Sequence, residues 1–189
     1  MSLMLLGILN SQAAGGGGVP AFELLATQIS NGSTSSITFA GLNAYTDYKH
    51  LQIRYTVKNT GGATDLGIRF NGQTDGNYHS HGIRGTGSSV QARSQTFTSY
   101  VNFEYAMASS NGTDIFSSGI LDFLDFANAS TKPMLRAAYG YVNPAVFTDI
   151  YIASGMYAGS NQAVSSITLL TPFNYFASNS RFSLYGIKG

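Results

Sequence analysis

The segment YKHLQIRYTV, residues 48–57, alternates without a break. Tyr48, His50, Gln52, Arg54 and Thr56 fall on one side, and Lys49, Leu51, Ile53, Tyr55 and Val57 on the other. Successive side chains point to opposite faces in a β-strand, whereas a helix groups residues three and four apart. A period of two held over ten residues therefore predicts a half-buried strand with Leu51, Ile53, Tyr55 and Val57 facing a core. One strand has no stability alone, so the rest of the chain must supply its partners.

It does so in the same style. SSITFAGL (35–42) sets Ile37 and Phe39 against Ser36 and Thr38. DLGIRFNG (65–72) aligns Leu66, Ile68 and Phe70 and ends in Asn71-Gly72, a strong hairpin signal. NYHSHGIRG (77–85) is the expected return strand. TFTSYVNFEYA (96–106) carries Phe97, Val101, Phe103 and Tyr105 at odd positions, which places them on one face of a single strand. Further β-rich runs occupy 114–126, 133–142, 147–157, 165–170 and 181–188, separated by Gly, Asn, Ser and Asp. About ten strands result, with no sustained helical period and no internal repeat. The expected fold is all-β: a single antiparallel β-sandwich of jelly-roll type with an extended N-terminal arm.

At 189 residues the length fits one domain, here residues 19–189 behind an arm at 1–18. Cysteine is absent, which removes disulfides, thiol catalysis and Cys-ligated zinc, and fits assembly in a reducing cytoplasm. Charged residues are only 10%, against about 25% in ordinary domains. With a net charge of +1 there is little to keep copies apart. Nor are there clustered Lys and Arg of the kind that nucleic acid requires. The 12 Phe suit a core, while the 12 Tyr, with polar tips, suit edges and interfaces. Tyrosine also stacks on sugars, although the chain has no Trp.

No catalytic constellation emerges. His79 and His81, two apart on a strand, share a face and resemble half of a metal site, but neither Asp75 nor His50 is an assured third ligand. Asp122 and Asp125 in LDFLDF fall on opposite strand faces, a poor geometry for paired carboxylates, and one of them is expected in a turn. FNGQTDGNY offers Asn71, Asp75 and Asn77 as oxygen ligands without the spacing or terminal Glu of a calcium loop. Serines lack a nucleophile elbow, and AGGGG lacks the ending of a phosphate loop. NGS (31–33) and NGT (111–113) read as turns. The expectation is a protein that is not an enzyme and holds no cofactor or metal.

The start of the chain, MSLMLLGILNSQAAGGGG, has no basic residue ahead of its short apolar run and so departs from a secretion signal. It is also too short for a membrane span. It reads as an apolar partner-binding arm (Leu3, Met4, Leu5, Leu6, Ile8, Leu9) ahead of a hinge of Gly15, Gly16, Gly17 and Gly18, since glycine loses most freedom on ordering.

LLGILNSQAAGGG near the start, SRFSLYGIKG at the finish, and ITFAGL, YTDYKHLQIRY and IRFNGQTDGNYHSHGIRG between them resemble small virion proteins of tailed bacteriophages. This group is frequent in phages of cyanobacteria and other aquatic bacteria. The resemblance runs over nearly the whole chain, with SRFSLYGIKG its most specific piece. It implies a β-rich structural component of the virion, assembled in the host cytoplasm, and transfers no catalytic residue. Within the group the leading role is a capsid decoration (cement) protein. Such a protein binds the major capsid protein lattice and neighbouring copies of itself as a homo-oligomer, with a trimer expected. The alternative is a tail fibre or adhesion module binding host surface glycan, with Asp75, Tyr78, His79 and His81 as exposed loop contacts.

Overall fold

The computed structural model describes residues 20–108, 115–143 and 147–189. Among them the chain forms twelve strands. In order these are β1 (Phe22–Ile29), β2 (Ser36–Ala40), β3 (His50–Val57), β4 (Thr64–Phe70), β5 (Tyr78–Gly85), β6 (Val90–Thr98), β7 (Val101–Met107), β8 (Ser117–Phe123), β9 (Met134–Asn143), β10 (Phe147–Tyr157), β11 (Ser166–Leu170) and β12 (Arg181–Ile187). A single 3-10 turn, Leu42–Ala44, is the sole helical element of the described residues. All strand pairings are antiparallel. An eight-stranded sheet, β1-β12-β3-β8-β9-β10-β5-β6, faces a four-stranded one, β2-β11-β4-β7. The fold is the β-sandwich of jelly-roll character that the sequence predicts.

Period-two alternation builds the core. On the small sheet Ile37, Leu169, Ile68 and Val101 stand side by side in register across all four strands. On the large sheet Leu184, Ile53, Leu121 and Ala137 do the same. All eight are buried, and burying each large aliphatic side chain contributes about 1.5–3 kcal/mol. The sheets meet closely where β7 crosses β10: a Cβ added at Gly155 would lie 2.1 Å from Val101 Cγ1. Only glycine admits that approach.

A second inward row, Phe182, Tyr55, Gly119, Tyr139 and Tyr151, runs across five strands of the large sheet. Burial pushes the phenols of Tyr55, Tyr139 and Tyr151 well up, and that of Tyr78 up to about 12. The folded state therefore keeps these protons after the unfolded chain begins to lose them near its ordinary value of about 10. Their stabilising contribution is fully present below that pH and is lost as pH rises through the folded values. The urea midpoint is expected to hold through neutral pH and to fall steadily between about pH 10 and 12. A flat profile there would mean that these tyrosines are solvated.

Three local expectations are corrected. Asn71-Gly72 does form a turn, with φ of 52° and 70° and a Gln73 N–H to Phe70 carbonyl bond of 3.0 Å. It is no hairpin, however, because β4 lies in the small sheet and β5 in the large one. Asn71 instead ties down the approach to β11. Its Oδ1 accepts from the Ser165 and Ser166 N–H groups at 2.8 and 3.1 Å. Its Nδ2 donates to Gln162 Oε1 and the Ala163 carbonyl, both at 2.8 Å. The Tyr78 hydroxyl then closes the crossing by accepting from the Phe70 N–H at 2.9 Å. Asn71→Ala removes these bonds and keeps a left-handed backbone that alanine disfavours. A loss of about 2–3 kcal/mol in urea unfolding, at unchanged m-value, is expected.

Residues 96–106 are not one strand. The chain turns at Ser99-Tyr100 and passes from the large sheet to the small one. Phe97 and Tyr105 each take a positive φ, 57° and 52°, beside register shifts in the β5–β6 and β4–β7 ladders. Both are thereby exposed, while Val101 and Phe103 are buried. Finally, β1 and the separate β6 raise the strand number from about ten to twelve. β1 lies at the edge of the large sheet, exposing Phe22, Leu24 and Ile29, and lacks the alternation by which strands announce themselves.

Candidate functional site

The outward residues of the large sheet come from segments far apart in sequence, and the register brings their apolar members together. Arg54 of β3 stands opposite Ile120 of β8, Ile120 opposite Ala138 of β9, and Ala138 opposite Ile152 of β10. Ile152 in turn faces Ile83 of β5, and Ile83 faces Ala92 of β6. A parallel row two residues along carries Gly140, Ile150, Gly85 and Val90. Ile150 and Ile152 are 65% and 67% exposed and Val90 76%, so these side chains stand in solvent. Beside Ile120 and Ile150, the small residues Ser118, Ala138 and Gly140 leave a shallow depression.

The polar half of the same face sets this patch off. Across β12 and β3 the outward residues include Ser183, Arg54, Gln52 and Thr56, beside the ring of Tyr185. Gln52 donates to Asp122 Oδ1 at 2.8 Å. Arg54 lies over the stacked rings of Phe22 and Tyr185, with its Cζ 5.1 and 5.3 Å from their centroids. Arg136 and His81 line one flank of the isoleucine row, in register with Ser154. Exposed apolar side chains standing side by side in register, bordered by polar groups, make this face the candidate interaction surface.

The loop residues singled out in the sequence do not form a site together. Tyr78 is wholly buried and hydrogen-bonded to the Phe70 backbone, which corrects its expected role as an exposed contact; on β5 its parity points it inward. Asp75 is exposed but engaged: the Tyr157 hydroxyl donates to its Oδ2 at 2.7 Å. That bond, with others from Asn77, holds its carboxyl below the usual range. His79 packs its ring edge-on to Phe97, with centroids 5.0 Å apart. His81 is exposed on the outer face. The Nδ1 of His50 accepts from the Asp125 N–H at 2.9 Å. Asp125 sits in a turn with φ 52°, bonded to Asn128, while Asp122 stays on β8. Among the described residues no three His, Asp or Glu side chains converge as metal ligands. The NGS segment turns, as its Asn31 Oδ1 accepts from the Ser33 N–H at 3.1 Å. The arm residues Leu3, Met4, Leu5, Leu6, Ile8 and Leu9, the hinge Gly15 to Gly18 and the NGT segment lie outside the described residues.

Sequence reading did not find Ile83, Val90, Ile120, Ile150 and Ile152. A signal existed in DIYIAS, where Ile150 and Ile152 alternate with the inward Tyr151 and Ala153, so that apolar side chains stand on both faces of this stretch. Only the cross-strand register turns that into a surface.

No protein-family model matches the chain, and no curated protein matches it. Among solved structures it is similar to the galectin LEC-6 of Caenorhabditis elegans, at 9% identity and a TM-score of 0.36, over 83% of this chain and 94% of that one. That overlay is too loose to bear on what the chain binds. Among the described residues no helix is long and apolar enough to cross a membrane.

Proposed function

We propose that the chain is a non-enzymatic structural protein of a bacteriophage virion, a decoration protein that seats on the major capsid protein lattice and on copies of itself. The observation that carries this reading is the exposed isoleucine face of the large sheet, on a chain with only 10% charged residues. Such a face excludes water only against another protein. Apolar seating of this kind is little weakened by salt, which suits a protein that must stay on a particle. The resemblance of SRFSLYGIKG and of the 68–85 segment to small virion proteins supplies the particle.

Cryo-electron microscopy of the virion that carries the protein tests the reading. Many copies on the head, with β8, β9, β10 and β5 turned to the lattice or to a neighbour, are expected. Density confined to the tail, with that face in solvent, would replace it with an adhesion module for host glycan.

A further inference from the structure

The chain contains two apolar features without a described partner: the isoleucine row on the outer face and the Leu3–Leu9 segment ahead of β1. We propose that they meet between copies, so that residues Leu3–Leu9 of one molecule lie across Ile120, Ile152 and Ile83 of a second. This rests on reading the outer face as a protein-binding surface and names its occupant.

The polarity pattern supports the match. The arm offers Leu3, Met4, Leu5, Leu6, Ile8 and Leu9, and behind them Asn10, Ser11, Gln12 and small residues up to Gly18. The outer face likewise carries its isoleucine rows from β8 to β6, flanked by Asp122, Arg136, Ser154 and His81, with Ser183, Arg54, Gln52 and Thr56 around the Tyr185 ring across β3 and β12. Leucines laid on the isoleucines leave the polar spacer over groups that hydrogen-bond.

The exit direction selects a neighbour over the chain's own face. Phe22, the first residue of β1, pairs with Ile187, which pairs with His50. The isoleucine row is in register with Arg54, four residues farther along β3 and roughly 13 Å away. Ala21, whose carbonyl accepts from the Lys188 N–H, continues beyond Phe22 at the His50 end, on the side away from the row. A return in cis would also have to mount the Phe22–Tyr185–Arg54 stack, which stands between β1 and β8. Reach is ample: the eleven residues from Leu9 to Pro20 span roughly 36 Å when extended. That is more than the seven strand intervals of the sheet, about 34 Å at 4.8 Å each.

The chain has no cysteine, so introduced thiols report directly. Full-length Leu6→Cys and full-length Ile152→Cys, prepared separately, are mixed and mildly oxidised, with products read by non-reducing gel and intact mass. Ile152 lies outside the core, and the exposed Ile83 provides a second acceptor site as Ile83→Cys. Heterodimer should exceed either homodimer by about tenfold, because docking raises the local thiol concentration. Linkage confined to one chain in the Leu6→Cys/Ile152→Cys double variant would place the arm on its own face and overturn the proposal. Ile152→Cys homodimer in equal yield would mean that two outer faces pair directly, which also overturns it. Absence of any cross-link, with an unchanged melting curve, would leave the arm elsewhere and overturn it too. If the heterodimer forms but the protein does not bind particles, the inference stands and the virion reading fails.

Discussion

Ile53→Asp is expected to abolish the folded state. Ile53 is fully buried between Leu184 and Leu121 in the inward row of the large sheet. Removing its aliphatic side chain alone costs roughly 2–5 kcal/mol. The carboxylate left in its place has no cation in reach among its registered neighbours, and burying an unpaired charge costs several kcal/mol more. Together these terms match the whole stability of a typical domain, about 5–15 kcal/mol. Circular dichroism should show loss of the sheet signal, or the protein should be recovered only as aggregate. Thr56→Asp is the matched control. It lies three residues along the same strand with the opposite parity, exposed and beside Arg181, so it should melt within about 0.5 kcal/mol of the parent. Equal melting of Ile53→Asp and the parent would mean that the register of β3 is wrong.

The second large effect is electrostatic. The Arg84 guanidinium donates to Asp149 Oδ2 at 2.8 Å, with side-chain exposures of 13% and 3%. It also lies over the rings of Tyr105 and Tyr151 at 5.2 and 5.8 Å. Asp149→Ala leaves that cation enclosed by aromatic rings without its anion, and a loss of about 3–5 kcal/mol is expected in denaturant unfolding. The pair need not itself be a net stabiliser. Replacing both partners with apolar residues of similar size, as in Arg84→Met/Asp149→Leu, should recover most of the loss, because neither charge then has to be desolvated. If the double variant is as unstable as Asp149→Ala, the pair holds the β5–β10 geometry in a way that apolar packing cannot replace.

What could be read from the sequence follows from how each strand is buried. β2, β3, β4 and β11 each show one apolar and one polar face, and alternation finds such strands. β1 has no such contrast, because a register shift between Leu24 and Ala26 breaks its parity and sets the consecutive Leu25 and Ala26 against the core. Asn71-Gly72 signals a turn, but whether the next strand pairs back or crosses to the other sheet depends on what the Asn71 side chain binds about ninety residues later. Parity failed at 96–106 because two positive-φ residues and a turn reset it. The candidate face was hidden for a related reason. Ile83, Ile120 and Ile152 come from three separated segments, and neighbourhood across a sheet is a property of register rather than of sequence distance.

The position of β12, paired with β1 on one side and β3 on the other, has a consequence for biosynthesis. The ribosome makes both of those strands early and the one that joins them about 120 residues after β3. Until then the nascent chain carries unpaired edges at β1 and β3, and any copy truncated before Arg181 keeps them. Long-range pairing of this kind is slow and exposed to aggregation. Premature termination ahead of Arg181 should therefore yield insoluble product rather than a shortened but serviceable protein.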